Sequence, residues 1–300
     1  MSCVSHIFES CGLRGKCAKV RIDVLNWNSK EVPRIRWFFG ENFFYGTDKL
    51  NEFSELRFRA ERTSVYESLD SKGKFSIASV EHLAPVFLMW KNRSFDVVVE
   101  ESVPCVYEVP MMDGSAIPFF HGLRRAAGVP DELAFYDVPL CEGWVTPFGY
   151  VRFCPSETFE VEYLISRPDF AGGFESHANV SVYSAEDLYG ILSSRTFIFK
   201  RDYDLSKDRL ASVDMSSGLL LDDCTGGGFS VRTDSVPKDR TRFANEFAMH
   251  KILDLLGDLS FALNALPKIR IEILNGGHAC HNEIMRRILP YAVFCQSEKI

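Results

Sequence analysis

The chain has 300 residues, 46% of them hydrophobic and 25% charged, with a formal net charge of −7; this is the balance of a soluble globular protein with room for about two domains. The acidic surplus argues against a general nucleic-acid binder, which carries a basic one, and no run of about 18 apolar residues is present to span a bilayer. Nine cysteines without a CxxC pair, and a start without a basic stretch leading into an apolar one, read as a cytoplasmic protein with reduced thiols.

In chain order, residues 18–25 alternate as a strand and 34–39 form a short aromatic one. Residues 63–66 and 74–78 read as further strands. Ser79 then reads as the cap of a helix through VEHLAPVFLMW, followed by strand 95–101, the Asp-Gly turn of MMDGSA (111–116) and a helix over IPFFHGLRRAA. Gly128 and Pro130 end that helix and mark a domain boundary, giving domains 1–129 and 130–300. The second half reads as strands 144–153, 157–166 and 178–184, a short helix AEDLYGILSS, and a strand or loop at 195–202. A Gly- and Asp-rich excursion at 203–240 comes before a helix over 241–262, a strand at 268–274 and a last helix from Ala279 to Leu289. Runs of strands and helices are segregated within each half, which predicts two α+β domains.

The helix TRFANEFAMHKILDLLGDL (241–259) organises the chemistry. His250, Asp254 and Asp258 climb one sector in steps of four while apolar residues cover most of the remaining circumference, so the helix is buried and its polar groups need partners. One reading is a core helix with a His–Asp hydrogen bond; the other is that His250 and Asp254 are two ligands of one metal. His82, at a helix start in the first half, completes a set of two His and one Asp, the number of protein ligands of a catalytic zinc. Glu81 beside it is then placed as a base. His278 follows Gly276-Gly277 and reads either as part of a simple turn or as a group that protonates a leaving amine or stabilises an oxyanion. Asp258 is placed to orient it, and Thr196, at the end of a strand, offers a hydroxyl to the oxyanion.

The segments VEHL (80–83), PMMDGSA (110–116), RTF (195–197), FANEFAMHKILDLLGDL (243–259) and GGHA (276–279) resemble, in order and spacing, the zinc-dependent UDP-3-O-acyl-N-acetylglucosamine deacetylase family (LpxC) of lipid A biosynthesis. The resemblance is dense at the motifs and thin between them, over about residues 75–285. It implies two layered sheet–helix domains with the site at their interface, and a small insert in each. His82, His250 and Asp254 would be ligands of one zinc ion, with ferrous iron as the alternative, and Glu81 the general base. His278, held by Asp258, would be the acid or electrostatic partner. Thr196 would serve the oxyanion, and Phe197 and Lys251 would face the substrate head group. The excursion 203–240 would form the acyl-chain passage. The substrate would be an acylated UDP-N-acetylglucosamine, hydrolysed at its acetamide by a cytoplasmic monomer.

Several positions depart from the family pattern. Arg14 stands where a His is usual, the glycine pair of the second insert is replaced around 209–223, and an Asn is missing from RSFDVVVE. Pro85, sixth in a helix capped by Ser79, removes a hydrogen bond and costs about 3 kcal/mol, so the helix begins later or is kinked beside His82. The competing readings are a diverged zinc deacetylase of another N-acetylated sugar conjugate and a catalytically silent relative that binds the nucleotide-sugar.

Overall fold

The computed structural model describes residues 3–13, 16–25, 33–60, 63–70, 73–169, 173–205, 218–224, 228–232 and 241–297. Arg14 and residues 209–217 lie outside them. The architecture is α+β, built of layered sheets and helices. In the first half, Cys3–Cys11, Cys17–Leu25, Ser94–Val99, Ile35–Phe39 and Asn42–Gly46 form one five-stranded sheet in that order. A second holds Arg57–Ala60, Ser64–Asp70, Gly73–Ala78, Val106–Glu108 and Glu101–Val103. In the second half the order is Glu142–Val145, Tyr150–Pro155, Leu266–Leu274, Phe159–Arg167 and Phe174–Val182, with Phe135–Asp137 also paired to Leu266–Leu274. A small sheet joins Phe197–Phe199, Leu219–Cys224 and Gly228–Arg232. Among the described residues no strand pairing crosses residue 130.

The helices are α1 (Leu50–Phe53), α2 (Ile117–Ala127), α3 (Ala185–Leu192), α4 (Lys200–Leu205), α5 (Glu246–Ala262) and α6 (His278–Ser297). Helix α3 starts at a capping box, in which Ser184 and Asp187 satisfy each other's free amides. Helix α5 is buried on nearly all sides, as its apolar circumference requires. It packs on strands Phe159–Arg167 and Phe174–Val182 of the second half and on the 80–89 segment of the first. At its C-terminal end Phe261 enters an aromatic cluster of Trp37, Tyr45, Phe53 and Tyr66. Aromatic rings from strands and from α1 of the first half therefore meet α5 at this end.

Several expected elements are corrected. Residues 80–89 are two short 3-10 turns, Val80–His82 and Ala84–Met89, and Ser79 makes no side-chain cap; it is left-handed instead, with φ 61°. The break between the turns lets Pro85 sit at the start of the second, where its missing N–H costs little. The strand read at 144–153 is a hairpin, because Thr146 closes a turn by accepting the amides of Phe148 and Gly149. Helix α5 begins at Glu246 and not at 241. Thr196 precedes its strand and does not end one. Helix α6 runs through Pro290, so the stop read at Leu289 is a lost hydrogen bond within a longer helix.

Candidate active site

Three chain segments deliver polar side chains to one buried place. The first leaves strand Gly73–Ala78 through left-handed Ser79, and this turn aims Glu81 and His82 at the middle of α5. Contact there is close: a Cβ on Gly257 would collide with the Glu81 backbone, so a residue with a side chain cannot occupy that turn of α5. The second segment is α5 itself. The third leaves strand Leu266–Leu274 through left-handed Asn275 (φ 50°), whose side chain accepts from the Ser166 amide at 2.8 Å and donates to the Phe148 carbonyl at 3.0 Å. Gly276 is crowded by Ile273, Tyr163 and Cys280, whereas a side chain on Gly277 would meet nothing. His278 then opens α6.

His82, His250 and Asp254 converge, with one ligand atom of each lying within 4.8 Å of the others. Asp254 Oδ1 is 3.2 Å from His250 Nε2 and 3.7 Å from His82 Nε2, and all three residues are buried. The donor set, two imidazoles and a carboxylate, fits a divalent ion. Burial lowers the pKa of His250, although Asp254 opposes this. His250 faces two acceptors at 3.2 Å, the Ser194 carbonyl on Nδ1 and the Asp254 carboxylate on Nε2. With a proton on Nδ1 for Ser194, Nε2 would be free to join Asp254 as a ligand of a cation. Burial alone would raise the pKa of Asp254, but His250 and Lys251 hold it well below the usual carboxylate range, so the carboxylate stays charged.

Glu81 lies beside this set. Its Oε1 accepts from the Thr63 hydroxyl, while Oε2 is buried with no hydrogen-bond partner among the described residues. Burial raises its pKa, which His278 and His82 only partly offset. His278 Nε2 is 3.8 Å from Glu81 Oε1, and its Nδ1 donates to Asp258 Oδ2 at 2.9 Å. Burial would lower the His278 pKa, but Asp258, Asp254 and Glu81 push it up to about 9, so the imidazolium dominates near neutrality. Thr196, Phe197, Lys251, Glu81, His82, Asp254 and His278 all line one cavity of about 930 Å³. Lys251 donates to Asp254 Oδ2 at 2.8 Å, with its ammonium 5.5 Å from the Phe197 ring. Gly218 and Leu219, from the small sheet, line the same cavity.

Every residue singled out in sequence as a site residue therefore reaches this place; His250 and Asp258 stand behind the cavity wall. Sequence reasoning missed Thr63, just before the strand Ser64–Asp70, Ser64 at its start, and His281, one turn past His278. The three-residue spacing of His278 and His281 on one helix face was the available signal for the last. It also missed Glu246, fully buried at the start of α5, whose carboxylate accepts from Arg195 Nε at 2.8 Å and from the Arg195 amide at 3.0 Å. Those bonds fix the residue just before Thr196.

A buried His–His–Asp donor set opening on a deep cavity, with a carboxylate and an imidazolium at its side, is the layout of a metal-assisted hydrolase. A family model for UDP-3-O-acyl N-acetylglycosamine deacetylase, LpxC, matches residues 42–290, and the chain belongs to this family. Similar relatives include the UDP-3-O-acyl-N-acetylglucosamine deacetylases of Legionella pneumophila (strain Corby), 30% identical over 227 residues, and of Acinetobacter baumannii (strain SDF), 28% identical over 222. The matches cover 72% of this chain and 68% and 69% of those proteins. That of Thioalkalivibrio sulfidiphilus (strain HL-EbGR7) is 27% identical over 224 residues, with 72% and 68% covered.

Proposed function

We propose that this chain hydrolyses the acetamide of a UDP-3-O-acyl-N-acetylglucosamine, releasing acetate and a free glucosamine amine for lipid A biosynthesis. His82, His250 and Asp254 hold one divalent ion, zinc in our reading with ferrous iron as the alternative. When bound, such an ion polarises a carbonyl and acidifies water. Glu81, which lines the cavity, takes the proton of the attacking water. The Thr63 hydroxyl on Oε1 fixes the carboxylate, whose Oε2 has no hydrogen-bond partner among the described residues. His278, protonated against Asp258, delivers a proton to the departing amine and balances the charge on the carbonyl oxygen, to which the Thr196 hydroxyl donates. Phe197 and Lys251 face the sugar head group. The acyl chain runs along the cavity wall formed by the 197–232 sheet.

The observation that carries this reading is the convergence of buried His82, His250 and Asp254, with one ligand atom of each within 4.8 Å of the others. The division into domains 1–129 and 130–300, the monomeric state and the cytoplasmic location belong to the same proposal. No helix of the described residues is long and apolar enough to cross a membrane. The test is acetate release from UDP-3-O-acyl-N-acetylglucosamine by purified protein, with a chelator arm. Turnover lost to the chelator and restored by zinc is the expected result. A zinc-loaded, folded protein without turnover would overturn the reading and leave the silent nucleotide-sugar binder.

A further inference from the structure

A second buried cluster lies one turn along α5 from Asp254, and one of its members carries none of the roles assigned above. Asp258 Oδ2 accepts from His278 Nδ1 at 2.9 Å and from His281 Nδ1 at 3.0 Å, and Oδ1 accepts from the Ser64 hydroxyl. One ligand atom each of Asp258, His278 and His281 also lies within 4.8 Å of the others, but both imidazoles hydrogen-bond one carboxylate oxygen directly and Ser64 takes the other, so the cluster is satisfied without a cation. On its far side His281 Nε2 is 3.3 Å from the Tyr163 hydroxyl. A carboxylate only accepts, so Nδ1 of His281 carries the proton; Nε2 of the neutral ring is then the acceptor and Tyr163 donates to it. His281, Asp258 and Tyr163 are 0% exposed, whereas His278 is 8% exposed and lines the cavity. One carboxylate thus holds two imidazoles, of which only His278 meets a substrate.

We propose that His281 is a positioning residue for His278, acting through Asp258; this rests on the role of His278 given above. The Asp258 carboxylate is pinned from two sides, by Ser64 of the first half on Oδ1 and by His281 of α6 on Oδ2. That fixes the carboxylate plane and leaves one lone pair of Oδ2 for His278, so the His278 ring has one orientation. Tyr163, on the neighbouring strand, lies behind His281 and donates to its Nε2, but the Asp258 carboxylate alone sets the tautomer.

Two near-isosteric substitutions separate the contacts. An asparagine amide reaches the position of Nδ1, so His281→Asn keeps a donor to Asp258 and loses Tyr163. A glutamine amide reaches the position of Nε2, so His281→Gln keeps Tyr163 and loses the donor. Tyr163→Phe, like His281→Asn, leaves the Asp258 contact in place. In the metal-loaded full chain, His281→Gln should lower kcat about tenfold or more with KM and metal content unchanged, while His281→Asn and Tyr163→Phe stay within about twofold of the parent. The second readout is the His278 Nδ1–H proton resonance. It should move downfield in His281→Gln, where one donor no longer shares Oδ2 with another, and stay near the parent position in the other two variants. Equal kcat in the two His281 variants, the reverse order, or an unmoved resonance in His281→Gln would overturn the proposal. If the parent protein releases no acetate, the deacetylase reading fails, and the resonance alone decides whether His281 positions His278.

Discussion

Helix α5 carries two histidine–carboxylate clusters four residues apart, and they are built in opposite ways. Around Asp254, two imidazole nitrogens approach one oxygen at 3.2 and 3.7 Å, and His250 turns its other nitrogen to the Ser194 carbonyl. Around Asp258, two imidazoles donate to one oxygen at 2.9 and 3.0 Å and a serine hydroxyl satisfies the other. The first cluster is the looser one and opens on the cavity through His82 and Asp254; the second is a closed hydrogen-bond network. In the proposed function the two clusters do different work, the first holding a cation and the second orienting an acid.

The comparison can be sharpened by perturbing each side. Glu81→Ala removes the proposed base beside the first cluster and none of the proposed ligands. Turnover should fall by about 10²–10⁴-fold with metal retained; an active variant would mean that another group takes the proton. Asp258→Asn should spare metal binding and lower kcat by about 10–100-fold, because an amide cannot accept from both imidazoles through one charged oxygen. Full activity there would detach the second cluster from the chemistry. Gly257→Ala places a methyl against the Glu81 backbone. Overpacking of that kind costs about 1–3 kcal/mol, so thermal melts should show a lower Tm, and unchanged melting would contradict the close approach of α5 to the first half.

The smallest effect concerns a support away from both clusters. Arg242 bonds Asp113 at 2.6 Å and ties the 111–116 turn to the start of α5. Burial alone would raise the Asp113 pKa, but Ser115 and Arg242 lower it below the usual value. A depressed folded pKa gives stability that is present above the unfolded value of about 3.9 and lost as pH falls through the folded one. The Tm difference between the parent and Asp113→Asn should therefore be largest near neutral pH and close at acid pH. A difference independent of pH would remove the ion pair from the explanation.

Much of this was legible in the sequence. The apolar circumference of residues 246–262 required a buried helix, and the four-residue steps of His250, Asp254 and Asp258 put them on one sector. The Gly276-Gly277-His278 run marked a backbone entering a tight place, of which only Gly276 is crowded. The approach of Glu81 and His82 was misread, because Ser79 looks like a helix cap and its left-handed conformation is imposed by the chain having to turn from strand to α5. The partners Thr63, Ser64 and Tyr163 lie on strands or at a strand's edge, where hydroxyls are common and only tertiary packing decides which ones meet a carboxylate or an imidazole. His281 was hidden by the same cause: its role exists only once Asp258 arrives from another helix.

The most direct test of the division between the two clusters is metal content per chain in three purified proteins: parent, Asp254→Ala and Asp258→Ala. The account predicts one divalent ion in the parent, none in Asp254→Ala, and one in Asp258→Ala. An ion retained without Asp254, or lost from a folded Asp258→Ala protein, would contradict it.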